Sequence, residues 1–167
     1  MNSQISSHSR PTLAALLIVL SASAVLAQVN SIQFKGAFNC RFTGAVEGGT
    51  LHSSGTCTGT ASQIGPFTYT ETATVDLATG LSSGVFQLVA ANGDVINGSY
   101  AGRTLPEDIP KGSHFIGLLT ITSGTGRFQG ATGGLTVDRL FDNTNLPAFL
   151  LGYGSLTGTI ITPASAN

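Results

Sequence analysis

From Pro66 to Asp76 the chain changes character at every step: Phe67, Tyr69, Glu71, Ala73 and Val75 alternate with Thr68, Thr70, Thr72 and Thr74. A period of two belongs to a strand with one buried face. Burying an aromatic or aliphatic side chain is favourable by roughly 1.5 to 3 kcal/mol, so the Phe67 set is expected to point inward and the threonines outward. Leu135, Val137, Arg139 and Phe141 share a face in the same way. Eight segments carry this character: Ser31 to Phe42, Thr50 to Thr60, Pro66 to Asp76, Ser83 to Ala91, Val95 to Gly102, His114 to Ser123, Ala131 to Asp142, and Phe149 to Thr162. No segment after residue 28 shows a helical period.

All connections between these segments but one are short. Gly48-Gly49 has the form of a two-residue hairpin turn, which sets Glu47 opposite Thr50 and Cys40 opposite Cys57. Asn92-Gly93, between Val89 and Val95, is the strongest hairpin signal and predicts a type I′ turn with positive φ at both central residues. Successive short connections imply antiparallel neighbours. Eight such strands suffice to close an all-β, up-and-down barrel, with an open meander or a two-sheet sandwich as the alternative. In a barrel the turn at Gly48-Gly49, the loop near Ala78 to Gly80 and the longer segments 103–113 and 143–148 share one rim. That rim gathers Arg103, Glu107, Asp108, Lys111, His114 and Asp142, and is the expected mouth of any cavity.

Composition adds a compartment. Arg10 followed by the apolar run Leu13 to Leu20 and small residues up to Ala27 reads as an export signal cleaved after Ala27, with an uncleaved anchor as the alternative. Residues 28–167 then form a single domain, secreted or periplasmic, and none of it is apolar enough to insert stably in a bilayer as a helix. Two cysteines in an exported chain suggest a bridge. Cys40 and Cys57 fall on a non-hydrogen-bonded pair, where Cα atoms lie about 4.5 Å apart, within disulfide range. Only 9% of residues are charged and the net charge is −1, with no basic run, so nucleic acid is not an expected partner.

The glycine turn Ser123 to Gly133, containing Gly124-Thr125-Gly126-Arg127-Phe128 and Gly130-Ala131-Thr132-Gly133, resembles a signature of the allene oxide cyclase barrel-like domains and, more distantly, of the plant dirigent proteins. Ala91 to Gly102 resembles the strand pair that precedes this turn in bacterial members. The resemblance implies an eight-stranded antiparallel barrel of calycin type. It carries over no catalytic residue, because the matched positions are turn and framework residues.

Candidate chemistry centres on Glu71, which the alternation carries into the lumen. A carboxylate there needs a partner or a raised pKa. It could serve as a cavity acid, base or ligand anchor with Tyr69 as a nearby hydroxyl, or it could pair internally or be turned outward by a bulge. Arg139 is the natural partner. The opposite register would instead put Leu140 inside, with Asp138 and Asp142 beside it. Phe67, Arg139, Arg103 and His114 are candidate ligand contacts, while Arg127 is expected to hold the glycine turn through backbone carbonyls. His52 and His114 are isolated, so no metal is expected, nor any cofactor. The leading expectation is a barrel that binds an apolar or amphipathic small molecule. The alternatives are a cofactor-independent cyclase or isomerase of the allene oxide cyclase or dirigent type, and a structural envelope protein with a packed lumen.

Overall fold

The computed structural model describes residues 29–106 and 112–164. The export signal with its cut after Ala27, and Glu107, Asp108 and Lys111 of the longest connection, lie outside the described residues. The strands are β1 (Val29–Glu47), β2 (Thr50–Ala61), β3 (Gly65–Asp76), β4 (Leu81–Ala90), β5 (Val95–Pro106), β6 (Gly112–Gly124), β7 (Thr132–Asp142) and β8 (Leu150–Pro163), with one 3₁₀ turn at Gly126–Phe128. All neighbours are antiparallel in sequence order, and β1 pairs with both β2 and β8, so the sheet closes. Closure leaves no edge strand to pair with another chain, which an open meander or sandwich would.

Alternation decides which side chains are buried. Phe67, Tyr69, Glu71 and Ala73 are buried along β3 while Thr68, Thr70, Thr72 and Thr74 are exposed. Thr56 and Thr58 of β2 stand opposite Thr70 and Thr68, so the outer face of this hairpin is a field of hydroxyls. Gly48 and Gly49 both have positive φ, as a two-residue turn requires, and Glu47 pairs with Thr50. This register brings Cys40 opposite Cys57, and the two form a disulfide with a Cα separation of 4.0 Å.

The β4–β5 hairpin is present, but its turn is not type I′. Of the two central residues only Gly93 has positive φ, and the connection runs through four residues, Ala91 to Asp94. The Asn92 carboxamide explains the difference: its Nδ2 donates to Asp94 Oδ2 at 2.8 Å and its Oδ1 accepts from the Asp94 N–H at 3.2 Å. This local pair fixes a wider loop that needs only one left-handed residue.

The barrel's two ends differ. At one end lie the chain termini of the barrel and the connections β2–β3, β4–β5 and β6–β7; at the other lie the turns and longer loops of β1–β2, β3–β4, β5–β6 and β7–β8. The glycine-turn end is shut. The 3₁₀ turn drops Phe128 into the lumen, where it is 0% exposed. Arg127 beside it bonds Asp94 at 3.2 Å and donates to the Gln63 carbonyl at 3.0 Å, tying that end's three connections together. Arg127 therefore does hold a backbone carbonyl, but that of the β2–β3 turn rather than its own.

Candidate functional site

Midway along the lumen the packed apolar layers give way to a buried ion pair. β3 supplies Glu71 and β7 supplies Arg139, from strands on opposite sides of the barrel, and the two residues are 6% and 3% exposed. The guanidinium grips the carboxylate with both terminal nitrogens, Nη1 to Oε2 at 3.2 Å and Nη2 to Oε1 at 3.1 Å. Two phenols complete the set. Tyr69 donates to Oε2 at 2.6 Å and Tyr100, from β5, to Oε1 at 3.4 Å. Burial in the first place, and the charge of Glu71 in the second, raise the pKa of both phenols above the ordinary tyrosine value. Both therefore stay neutral donors across the physiological range.

Rings surround the pair. The Arg139 Cζ lies 4.7 Å from the ring centre of Phe42, 4.8 Å from Phe141 and 5.1 Å from Phe115. Cation–π attraction partly offsets the loss of hydration of a buried guanidinium. Gly152 on β8 makes room for it: a Cβ there would lie 3.1 Å from the Phe42 ring and 3.2 Å from the Arg139 Cδ. Below the pair, Tyr69 stacks between Phe38 and Phe86 with ring centres 6.1 and 5.7 Å away, and this half of the lumen is filled.

Above the pair is a cavity of about 230 Å³. Glu71 and Arg139 form its floor, Phe42, Phe115, Phe141 and Ala73 its walls, and Leu77, Asn143, Leu146 and Leu150 its rim. Ser82, Ser53, Thr104 and Ser113 add hydroxyls to a lining that is otherwise apolar. The cavity is smaller than the roughly 300 Å³ at which sites for drug-sized ligands begin. It opens among the long-loop connections, the rim expected from the loop lengths. Arg41 steadies that rim from outside, with its Cζ 3.7 Å from the Phe149 ring centre.

The candidate residues are thus brought together only in part. Glu71 and Arg139 meet in the lumen, in the register that puts Val137 and Phe141 inside with Arg139 and not the one that puts Leu140 there. Tyr69 touches Glu71 from the packed side, and Phe67 lies deeper still against Phe34, with ring centres 6.4 Å apart, so neither lines the cavity. Arg103 and His114 do not reach the lumen at all. Each stands one residue from an inward position, Arg103 beside Gly102 and Thr104, His114 beside Phe115, and period two sends them outside. There Arg103 donates to the Thr79 carbonyl at 2.9 Å and His114 meets Asp138 at 2.8 Å.

Tyr100 and Ser82 are the members that sequence reading overlooked. Ile96, Gly98, Tyr100 and Gly102 alternate on one face of β5, so the tyrosine was accessible to the same argument as Tyr69, but the intervening glycines dilute the pattern. Among the described residues no three His, Cys, Asp or Glu side chains converge as they would around a metal ion. Nor is any helix among them long and apolar enough to cross a membrane.

No family model matches this chain, and no curated protein or solved structure matches it. The architecture is a closed eight-stranded antiparallel barrel, a shape shared by unrelated families that does not by itself identify an allene oxide cyclase or dirigent relative.

Proposed function

We propose that this protein is an exported barrel that binds a small apolar or amphipathic molecule in the cavity above the Glu71–Arg139 pair. The observation that carries the reading is the asymmetry of the lumen: one half is filled by side chains, while the other holds a cavity of about 230 Å³ with aromatic walls and a polar floor. Apolar walls with a few fixed polar groups are what small-molecule sites are made of. Export is supported by the buried Cys40–Cys57 bridge, which suits an oxidising compartment, and by the signal-like stretch before residue 28. The exposed threonines of β2 and β3 favour a water-facing outer side for that hairpin, since a lipid-facing one places apolar residues outward.

Within the resemblance to the allene oxide cyclase and dirigent barrels, the rival reading is a cyclase or isomerase working in the same cavity. Against acid–base work by Glu71 stands its saturation: both oxygens accept from Arg139 and both accept from a tyrosine. A carboxylate so engaged has no open oxygen to turn toward a substrate. Binding is therefore the preferred reading.

Native mass spectrometry of protein isolated from its own source tests it. The wild type is expected to retain a small molecule, and Ala73→Phe, which fills the cavity from β3, to emerge empty. Repeated recovery of empty wild-type protein sinks the reading. If a turnover is found instead, Glu71→Gln separates the two: loss of rate with binding intact favours the cyclase.

A further inference from the structure

The outside of the barrel is not uniform. Over β2 and β3 it is made of hydroxyls, whereas on β5 and β6 the side chains of Leu105, Ile116 and Leu118 stand 42%, 47% and 55% exposed. Strand register aligns them in three rows across β5, β6 and β7: Leu105, His114 and Leu140; Arg103, Ile116 and Asp138; Ala101, Leu118 and Thr136. All nine alternate with inward positions, so the rows form one outer face. A contiguous exposed apolar face marks an interaction site. A lipid surface fits it poorly, because the middle row carries Arg103 and Asp138, and charges facing lipid are destabilising.

The middle row points to the partner. Ile116 has a cation on one neighbouring strand and an anion on the other, each about 4.8 Å away across the sheet. Arg103 spends its Nε on the Thr79 carbonyl and Asp138 offers Oδ1 to His114, yet the Asp138 side chain remains 60% exposed. Half a turn about an axis lying along β6 brings two copies of this face together and exchanges the ends of every row. Arg103 then faces Asp138 of the second copy, and Asp138 faces its Arg103. Ile116 meets Ile116, Leu118 meets Leu118, and Leu105 meets Leu140. An axis across the strands would instead set Arg103 against Arg103 and Asp138 against Asp138, which like-charge repulsion opposes. Sheets packed face to face lie about 10 Å apart, a gap that an arginine and an aspartate can close from opposite sides.

We propose that the outer face of β5, β6 and β7 is a self-complementary surface that pairs two copies of this chain, with Ile116 at the two-fold axis and an Arg103–Asp138 pair on either side of it. The barrel is convex, so only about three strands of each copy can touch. The contact therefore falls at the low end of specific interfaces, below about 1,200 Å² in total, and the dimer is reversible.

Sedimentation of the protein at rising concentration tests this. The wild type is expected to pass from monomer to dimer, and Ile116→Asp to remain a monomer. Arg103→Asp and Asp138→Arg should each raise the dissociation constant at least about tenfold, because each sets like charges against one another on both sides of the axis. Mixed in equal amounts, those two variants should dimerise again, since every facing pair is then opposite in sign. A wild type that stays monomeric overturns the proposal. So do variants that dimerise as the wild type does, or a mixture that fails to recover. Flotation of the wild type with phospholipid vesicles would give the face to a membrane and overturn it as well. Should a charge variant not fold, Ile116→Cys decides: a short bismaleimide should link two copies through it, and no linked product would again overturn the pairing.

Discussion

At the glycine-turn end, Phe128 fills the lumen and Arg127 ties three connections together; at the long-loop end, Phe42, Phe115 and Phe141 line the walls of a space they do not fill. The strands are the same at both ends and so is their alternation. What differs is what the described connections send inward. The β6–β7 connection is built on Gly124, Gly126 and Gly130, and Gly126 and Gly130 have positive φ, so the chain turns tightly enough to put a phenylalanine on the barrel axis. The β7–β8 connection, residues 143–149, runs over its rim and contributes Asn143 and Leu146 to the cavity edge without plugging it. A barrel of eight strands is just wide enough to be filled by its own side chains, so one end plug decides whether it is a core or a container.

The sharpest way to break this contrast is at the boundary between the halves. Glu71→Ala leaves the Arg139 guanidinium buried and unpaired and takes the acceptor from both Tyr69 and Tyr100. A loss of about 3–5 kcal/mol is expected in chemical denaturation. The double variant Glu71→Gln with Arg139→Met should recover most of it, because it removes the stranded charge.

Next comes the contrast between the two ends themselves. Phe128→Ala should cost about 3–5 kcal/mol, as for a fully buried phenylalanine. Leu146→Ala, at a rim position 55% exposed, should stay within about 0.5 kcal/mol. Comparable losses from the two substitutions would mean that the long-loop end is closed as firmly as the other. Reduction of the Cys40–Cys57 bridge, with its sequence separation of 17, should cost about 3 kcal/mol by loop entropy and narrow the gap between wild type and the weaker variants.

The smallest effects lie at the extremes of pH. The folded Tyr69 and Tyr100 hold their protons more tightly than the ordinary phenol pKa of about 10. Their contribution to stability is fully present below about pH 10 and is lost as pH rises above it, because the unfolded chain ionises first. Phenolate absorbance should therefore report these two residues only with unfolding. On the acid side, the N–H groups of Thr79 and Ala78 hold the Asp76 carboxyl below its usual range. That turn is stabilised above about pH 4 and loses the contribution as pH falls through the lowered pKa. Amide exchange at Ala78 and Thr79 should rise there relative to its acid trend elsewhere in the barrel.

Much of this was legible along the chain. Alternation over Phe67 to Val75 determined which face of β3 is buried, and hence that Glu71 enters the lumen. The glycine pair at positions 48 and 49 set the register that joins Cys40 to Cys57. Both are local consequences of a two-residue period and a two-residue turn. Only the folded barrel could decide that Arg139, 68 positions away, arrives opposite Glu71, that Tyr100 joins from a third strand, or that Arg103 and His114 fall outside. Those outcomes depend on closure of the sheet and on the stagger between strands far apart in sequence, where a shift of one residue reverses a side chain's direction. The cavity is more remote still from the sequence. It is the volume left when the β6–β7 connection fills one end of the lumen and the β7–β8 connection does not fill the other, and no residue by itself encodes it.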